Sequence, residues 1–327
     1  MADIVSRISY AMSLRGPQKE ALSYLDAIST HCDYQRDSTA AVEAAATEHC
    51  EKQRPIKVDA KFDFPSFCFA MATGIGKTRL MGACIYYLYK TKGYRHFFIL
   101  APGSTIYDKL RKESNPAHPK YIFKGLEAEM GLPKVYDGEN YDTYPVHYEQ
   151  TALTFEKSSE IELFIFNIGK IFNSKTDTQF NFHKFQETLG MSFSPVLASF
   201  NDLVICMDEA HRYYAPASMK AINFLQPVLG LEFTATPKST SNVIYSYDLA
   251  RGAVEGFLKT PVVMGRSNMA GYSAADIEEM KIRDGLTQHE HRKAVLRQYC
   301  DDHDLPYVKP IVLIACKDTN HAKDIRS

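Results

Sequence analysis

The sequence contains no apolar run approaching the length needed to cross a bilayer, and its first residues, MADIVSRISYAMSLRG, lack the apolar core of a secretory leader. Those absences predict a cytoplasmic protein with no membrane partner. Charge of either sign is also not in excess: 38 Lys and Arg stand against 39 Asp and Glu, a formal net charge of −1. A neutral total weakens the case for a nucleic-acid partner without closing it, because a narrow groove needs only a local basic lining. Paired cysteines are missing too. The seven Cys are odd in number and form no CxxC, which argues against a disulfide scaffold and for reduced thiols. His31-Cys32 and His49-Cys50 could suggest zinc, but adjacent residues rarely point at one ion, so no metal is expected there. His289 and His291 read as solvated helix residues. No internal repeat or low-complexity tract is evident.

What is present is a globular composition, 45% hydrophobic and 24% charged, in 327 residues, more than one hydrophobic core comfortably holds. Residues 17 to 30, opened by Pro17, and 38 to 52, rich in Ala and Glu, read as helices. Apolar runs at Phe67 to Met71, His96 to Ala101, Leu163 to Phe166, Leu203 to Met207 and Leu229 to Thr234 alternate with helical or polar stretches. That alternation predicts an α/β domain, a doubly wound parallel sheet with ligands at the carboxyl ends of its strands. Ser114 to Tyr148, rich in Tyr, Pro and Gly, lacks periodicity and reads as an insertion or irregular surface excursion. Ala274 to Asp302 reads as a long polar helix that Gly285 could break. Pro310 to Ala315 (PIVLIA) resembles a fresh buried strand, with the chain ending shortly after it.

The first apolar run empties into Thr73-Gly74-Ile75-Gly76-Lys77-Thr78-Arg79 and a helix-forming stretch. A Gly-rich turn at a helix N-terminus offers unpartnered N–H donors and a favourable dipole to an anion. Gly74 and Gly76 allow close approach, Lys77 would reach the β- and γ-phosphates of ATP, and the Thr78 hydroxyl would hold Mg²⁺. Met71 stands where the wider pattern has its first Gly. An ordinary strand-to-helix turn is the plainer alternative.

A second strand end carries Asp208-Glu209-Ala210-His211. There Asp208 would orient Mg²⁺ and Glu209 would position or deprotonate the water attacking the γ-phosphorus. Two acids could instead favour the first turn of a following helix. Thr234-Ala235-Thr236-Pro237 closes a third strand with two hydroxyls, turn chemistry that means little alone.

In that order, MATGIGKT, MDEAH and FTATP resemble motifs I, II and III of superfamily 2 DEAH-box helicases and translocases. The fuller strings FCFAMATGIGKTRLM, FILAPGSTIYDKL, MDEAHRYYA and LEFTATP resemble most closely the Res subunits of type III restriction enzymes. The resemblance implies a RecA-like P-loop lobe, ATP and Mg²⁺ as cofactors, DNA as partner, a role in restriction of phage DNA, and a methyltransferase or other defence-system subunit alongside. It makes Leu14-Arg15-Gly16-Pro17-Gln18 similar to an adenine-recognising Q motif, with Gln18 on the base edge and Arg15 nearby, although Gln also suits the first turn of a helix. His211, Thr234 and Thr236 would couple nucleotide state to nucleic-acid grip. Pro102, Gly103 and Ser104 would lie in a loop touching sugar-phosphate, as would Asn167. Lys109, Arg111, Lys112 and Lys170 are candidate electrostatic neighbours of a nucleic acid, or a solvated face.

The resemblance divides the chain into an N-terminal helical segment over 1–60, a first RecA-like lobe over 61–265 with its insertion at about 114–160, a helical linker over 266–307 and the start of a second lobe over 308–327. Superfamily 2 enzymes place an arginine finger in that second lobe, so the chain alone should hydrolyse ATP slowly. Two other functions compete: a P-loop phosphotransferase, for which no acceptor pocket is legible, and an ATP-dependent switch, which would not need Glu209.

Overall fold

The computed structural model describes residues 3–36, 38–50, 62–144, 160–168, 193–258, 265–267 and 269–314. Lys170 and the residues after Ile314 lie outside them. Two compact units divide at residue 260.

The first unit opens with three helices, α1 (Ile4–Ala11), α2 (Gly16–Ser29) and α3 (Thr39–Cys50). Asp3 caps α1 by accepting from Ser6 N. The sheet that follows has, among the described residues, seven strands: β1 (Ser66–Met71), β2 (His96–Ala101), β3 (Lys134–Asp137), β4 (Glu162–Asn167), β5 (Val204–Asp208), β6 (Leu229–Thr234) and β7 (Val243–Tyr247). Their order is β3-β4-β2-β5-β6-β1-β7, and every pairing is parallel. The crossovers include α4 (Lys77–Lys92), α5 (Ser104–Glu113), the short α6 (Glu127–Met130), α7 (Phe193–Ser199) and α8 (Pro216–Phe224), and α9 (Leu249–Val254) follows the last strand.

Alternation along each strand sorts side chains between two cores. Phe97 and Ile99 of β2, Leu163 and Ile165 of β4, and Val204 and Cys206 of β5 face a core built with α1 to α5. Phe98 and Leu100, Phe164 and Phe166, and Ile205 and Met207 face a second core containing α7 and α8. Burial on both faces is why these strands read as continuous apolar runs. All their carboxyl ends lie on one edge, so the loops after β4, β2, β5, β6 and β1 form a row.

The segment from Ser114 to Tyr144 is not a surface excursion. It supplies β3, which pairs with β4, and it buries Tyr121, Ile122, Phe123, Leu126 and Met130 in the first core. Gly82 of α4 explains the docking, since a Cβ there would stand 2.3 Å from the carbonyl oxygen of Ile122. Turns with no repeat carry these contacts, so periodicity could not reveal them.

In the second unit, α10 (Ala274–Asp302) runs unbroken through Gly285 and is capped by Ser273 and Asp276. One glycine costs only ~1 kcal/mol in a helix interior, too little to break it alone. Pro310 to Ile314 is no buried strand: it has no regular structure, and Ile311 and Leu313 are exposed. An apolar run becomes a strand only when a ladder forms along it, whatever its hydropathy.

Candidate nucleotide site

The turn between β1 and α4 is shaped by its glycines. Gly74 and Gly76 have φ of +93° and +101°, left-handed values that side chains resist. At Gly76 a Cβ would also meet Gln18 Nε2 at 2.4 Å. Ile75 is buried and its N–H donates to Ala72 O at 3.4 Å. Among the described residues, the N–H groups of Gly74, Gly76, Lys77 and Thr78 donate to no acceptor, which leaves four donors at the N-terminus of a helix of 16 residues. They border a cavity of 980 Å³ that Thr73, Gly74, Gly76, Lys77, Thr78, Arg79, Asp208 and Glu209 also line.

Lys77 is buried in the wall of that cavity, with Nζ 3.4 Å from Met71 O and 3.4 Å from Glu209 Oε1. Asp208 is buried at the end of β5, where burial, and then the charge of Glu209, pushes its carboxyl up; Lys77 and Lys109 oppose the shift. Glu209 has φ 49° and ψ 52°, a left-handed conformation costing a non-glycine residue about 1–2 kcal/mol. Strain of this kind persists where surrounding structure imposes it, and functional sites are common places for it.

The third motif meets the second directly. Nδ1 of His211 lies 2.9 Å from Thr234 Oγ1, 3.2 Å from Thr236 Oγ1 and 3.6 Å from Glu209 Oε2. Farther along the same edge, Ala101 and Asn167 are register partners in β2 and β4, so Pro102, Gly103, Ser104 and Asn167 occupy neighbouring strand ends.

Three expected ligand residues are engaged with protein. Gln18 is buried: its Oε1 accepts from Arg15 N at 2.8 Å and its Nε2 donates to Gly76 O at 2.9 Å, so it caps α2 and clamps the loop at once. Arg15 donates to Gly74 O at 3.4 Å, and its guanidinium lies 5.9 Å from the centre of the Phe257 ring. The guanidinium of Arg79 is committed to the backbone carbonyls of Met12, Tyr121 and Lys124. Of the candidate DNA neighbours, Lys109 instead donates to Thr78 Oγ1 at 3.2 Å, and Arg111 is paired with Asp137 and Glu139.

Sequence reasoning missed Glu232, a fully buried acid on β6 that accepts from Ser66 Oγ at 2.7 Å and Tyr214 Oη at 2.5 Å. The one signal was a charge inside the apolar run LGLEFT. It also missed Glu113, Lys120, Lys124 and Glu127, which line the cavity from the segment read as an insertion or from the helix before it.

No helix among the described residues is long and apolar enough to cross a membrane. Among known proteins, the chain is 31% identical over 157 residues to a probable type III restriction-modification enzyme of Haemophilus influenzae, the HindVIP Res subunit. That alignment covers 46% of this chain and 25% of the relative, so the chain spans about a quarter of the relative's length. A solved SWI2/SNF2 ATPase core of Sulfolobus solfataricus, in complex with double-stranded DNA, matches 63% of this chain and 33% of its own at 13% identity, with a TM-score of 0.29. The profile of the type III restriction enzyme Res subunit matches residues 12–239, well over half of the chain. With that match added to an all-parallel sheet and a glycine loop at its edge, the chain belongs to the Res-subunit family of type III restriction enzymes, and its first unit is a RecA-like, helicase-type lobe.

Proposed function

We propose that this chain binds ATP with Mg²⁺ and hydrolyses it as the N-terminal motor lobe of a DNA helicase or translocase of the type III restriction class, acting in the cytoplasm against foreign DNA. The observation that carries the reading is Lys77, whose ammonium lies 3.4 Å from Glu209 Oε1 beside four loop N–H groups with no acceptor among the described residues. Cation and amide donors together suit a polyphosphate, and the carboxylate beside them suits a water to be activated.

Thr78 Oγ1 and the Asp208 carboxylate, both lining the cavity, offer the oxygen ligands Mg²⁺ prefers. Bound there, Mg²⁺ would offset phosphate charge. Lys77 and the loop amides would hold the β- and γ-phosphates, and Glu209 would accept a proton from the attacking water. His211, touching both Glu209 and Thr234, would relay the state of that carboxylate along the sheet edge. The loops carrying Pro102, Gly103, Ser104 and Asn167 would grip the sugar-phosphate backbone of DNA, and a methyltransferase subunit would supply the target sequence.

The test is phosphate release by the full-length protein with and without DNA. Stimulation by DNA, together with its loss in Lys77→Ala, supports the motor; turnover indifferent to DNA overturns it. A phosphorylated small-molecule product would indicate a phosphotransferase instead.

A further inference from the structure

Lys109 stands one turn before Glu113 on α5, and its ammonium donates to Thr78 Oγ1 at 3.2 Å while lying 3.7 Å from Glu113 Oε2. The Thr78 hydroxyl is one of the two oxygens assigned above to Mg²⁺. The other, the Asp208 carboxylate, lies in the wall of the same cavity, which all four residues line. A positive charge therefore sits against a metal-ligand group, brought by a helix that belongs to neither the phosphate loop nor the acidic strand end.

An ammonium donating to Thr78 Oγ1 competes for that oxygen with a metal ion, and two cations at one site repel. Glu113 offers the displaced ammonium a place to go. It is on the same face of α5 at the i,i+4 spacing, and only 6% exposed, so its carboxylate needs a charged partner.

We propose that Lys109 is a surrogate cation for the metal site, occupying Thr78 Oγ1 while Mg²⁺ is absent and moving onto Glu113 when Mg²⁺ enters. The inference rests on the ATP and Mg²⁺ reading above. Metal entry is then an exchange of one cation for another, so the gain in nucleotide affinity that Mg²⁺ provides is smaller than the oxygen ligands alone would give. A lysine serving as a phosphate clamp would contribute with or without Mg²⁺, whereas a surrogate opposes the metal.

The experiment measures the affinity of a fluorescent ATP analogue for the full chain in Mg²⁺ and in EDTA, for the unaltered protein, Lys109→Met and Glu113→Gln. The ratio of the two affinities reads the metal's contribution. In Lys109→Met the ratio is expected to rise by about fivefold or more, a coupling of ordinary size. In Glu113→Gln, which removes the alternative berth, it is expected to fall. Equal weakening in both buffers by Lys109→Met, or an unchanged ratio, overturns the proposal. Lys109→Met removes no buried group, so its result stands even if Glu113→Gln lowers the melting temperature. Failure of the unaltered chain to bind the analogue in either buffer overturns the nucleotide reading and this inference together; binding with a ratio unmoved by Lys109→Met overturns the inference alone.

Discussion

The hydroxyl of Tyr214 donates to the carboxylate of Glu232 at 2.5 Å, on the strand that also carries the contact of His211 with Thr234. Glu232 and Thr234 are two residues apart on β6 and so share a face of the sheet. One face of one strand thus holds the turn after the acid pair at two points. Ser66 donates to the other oxygen of Glu232 and ties β1, the strand feeding the phosphate loop, to the same carboxylate.

That arrangement makes Tyr214→Phe costly although it removes only one oxygen. A buried carboxylate would lose a donor, at about 1.5–3 kcal/mol. The melting temperature should fall accordingly, and it should fall much less for Tyr10→Phe, whose ring is exposed.

Glu232 also sets a pH dependence. Burial pushes its carboxyl above the ordinary value of 4.5, with Tyr214 and Ser66 pulling the other way. A raised folded value means that the stability this group contributes is fully present below 4.5 and is lost as the pH climbs through the raised value. Glu232→Gln cannot ionise. Melting curves across that window should show the variant gaining on the unaltered protein as pH rises toward neutrality; a difference that stays flat would mean Glu232 does not titrate there.

Lys77 and Glu209 should separate binding from chemistry. Lys77→Ala is expected to lose nucleotide affinity and turnover together, whereas Glu209→Gln should bind ATP and lose turnover by about 10²-fold or more, as removal of a general base does. Glu209→Gly adds a stability readout. Relief of the left-handed backbone should raise the melting temperature while turnover stays absent, which equilibrium unfolding and phosphate release would measure on the same preparation.

Five strands could be read from the sequence because both faces of each are buried, which leaves an unbroken apolar run such as Phe98, Ile99 and Leu100. The two edge strands could not. Lys134–Asp137 and Val243–Tyr247 are only four and five residues long, and each carries an exposed polar position, Lys134 and Ser246, that leaves no unbroken apolar run. The opposite mismatch occurred at Pro310 to Ile314, an apolar run that takes no regular structure. At the site, the glycine loop, the acid pair and the two threonines were legible because each lies at the end of a buried strand. Lys109 and Glu113 were not: their place beside Thr78 arises from how α5 packs on β2 and β4 next to the phosphate loop, a relation that no local pattern encodes.

Gln18 illustrates a residue whose position was read but whose engagement was not. With one side-chain atom on Arg15 N and another on Gly76 O, its amide holds the loop whether or not it also touches a base. Gln18→Ala should therefore weaken ATP and GTP alike and lower the melting temperature, costing about 1–3 kcal/mol for two buried bonds left unmade. Selective loss of ATP over GTP, measured by competition binding, would instead assign the residue to adenine.

His211 provides the sharpest test of coupling because its imidazole meets three groups from two strand ends: Glu209, Thr234 and Thr236. None of these contacts replaces Lys77 or the loop amides, so His211→Ala should leave ATP affinity within about threefold, the scale of a surface substitution of ±0.5 kcal/mol. What it removes is the link between the acid pair and β6. In the full-length protein, DNA-stimulated turnover should collapse toward the DNA-free rate, while the DNA-free rate itself changes little. Thr234→Val should reproduce the effect, because it deletes the same hydrogen bond from the other side at nearly constant volume. Parallel loss of the basal rate in both variants would place His211 in the chemistry instead of the relay, and the double variant would decide between them: coupled residues lose no more together than either loses alone.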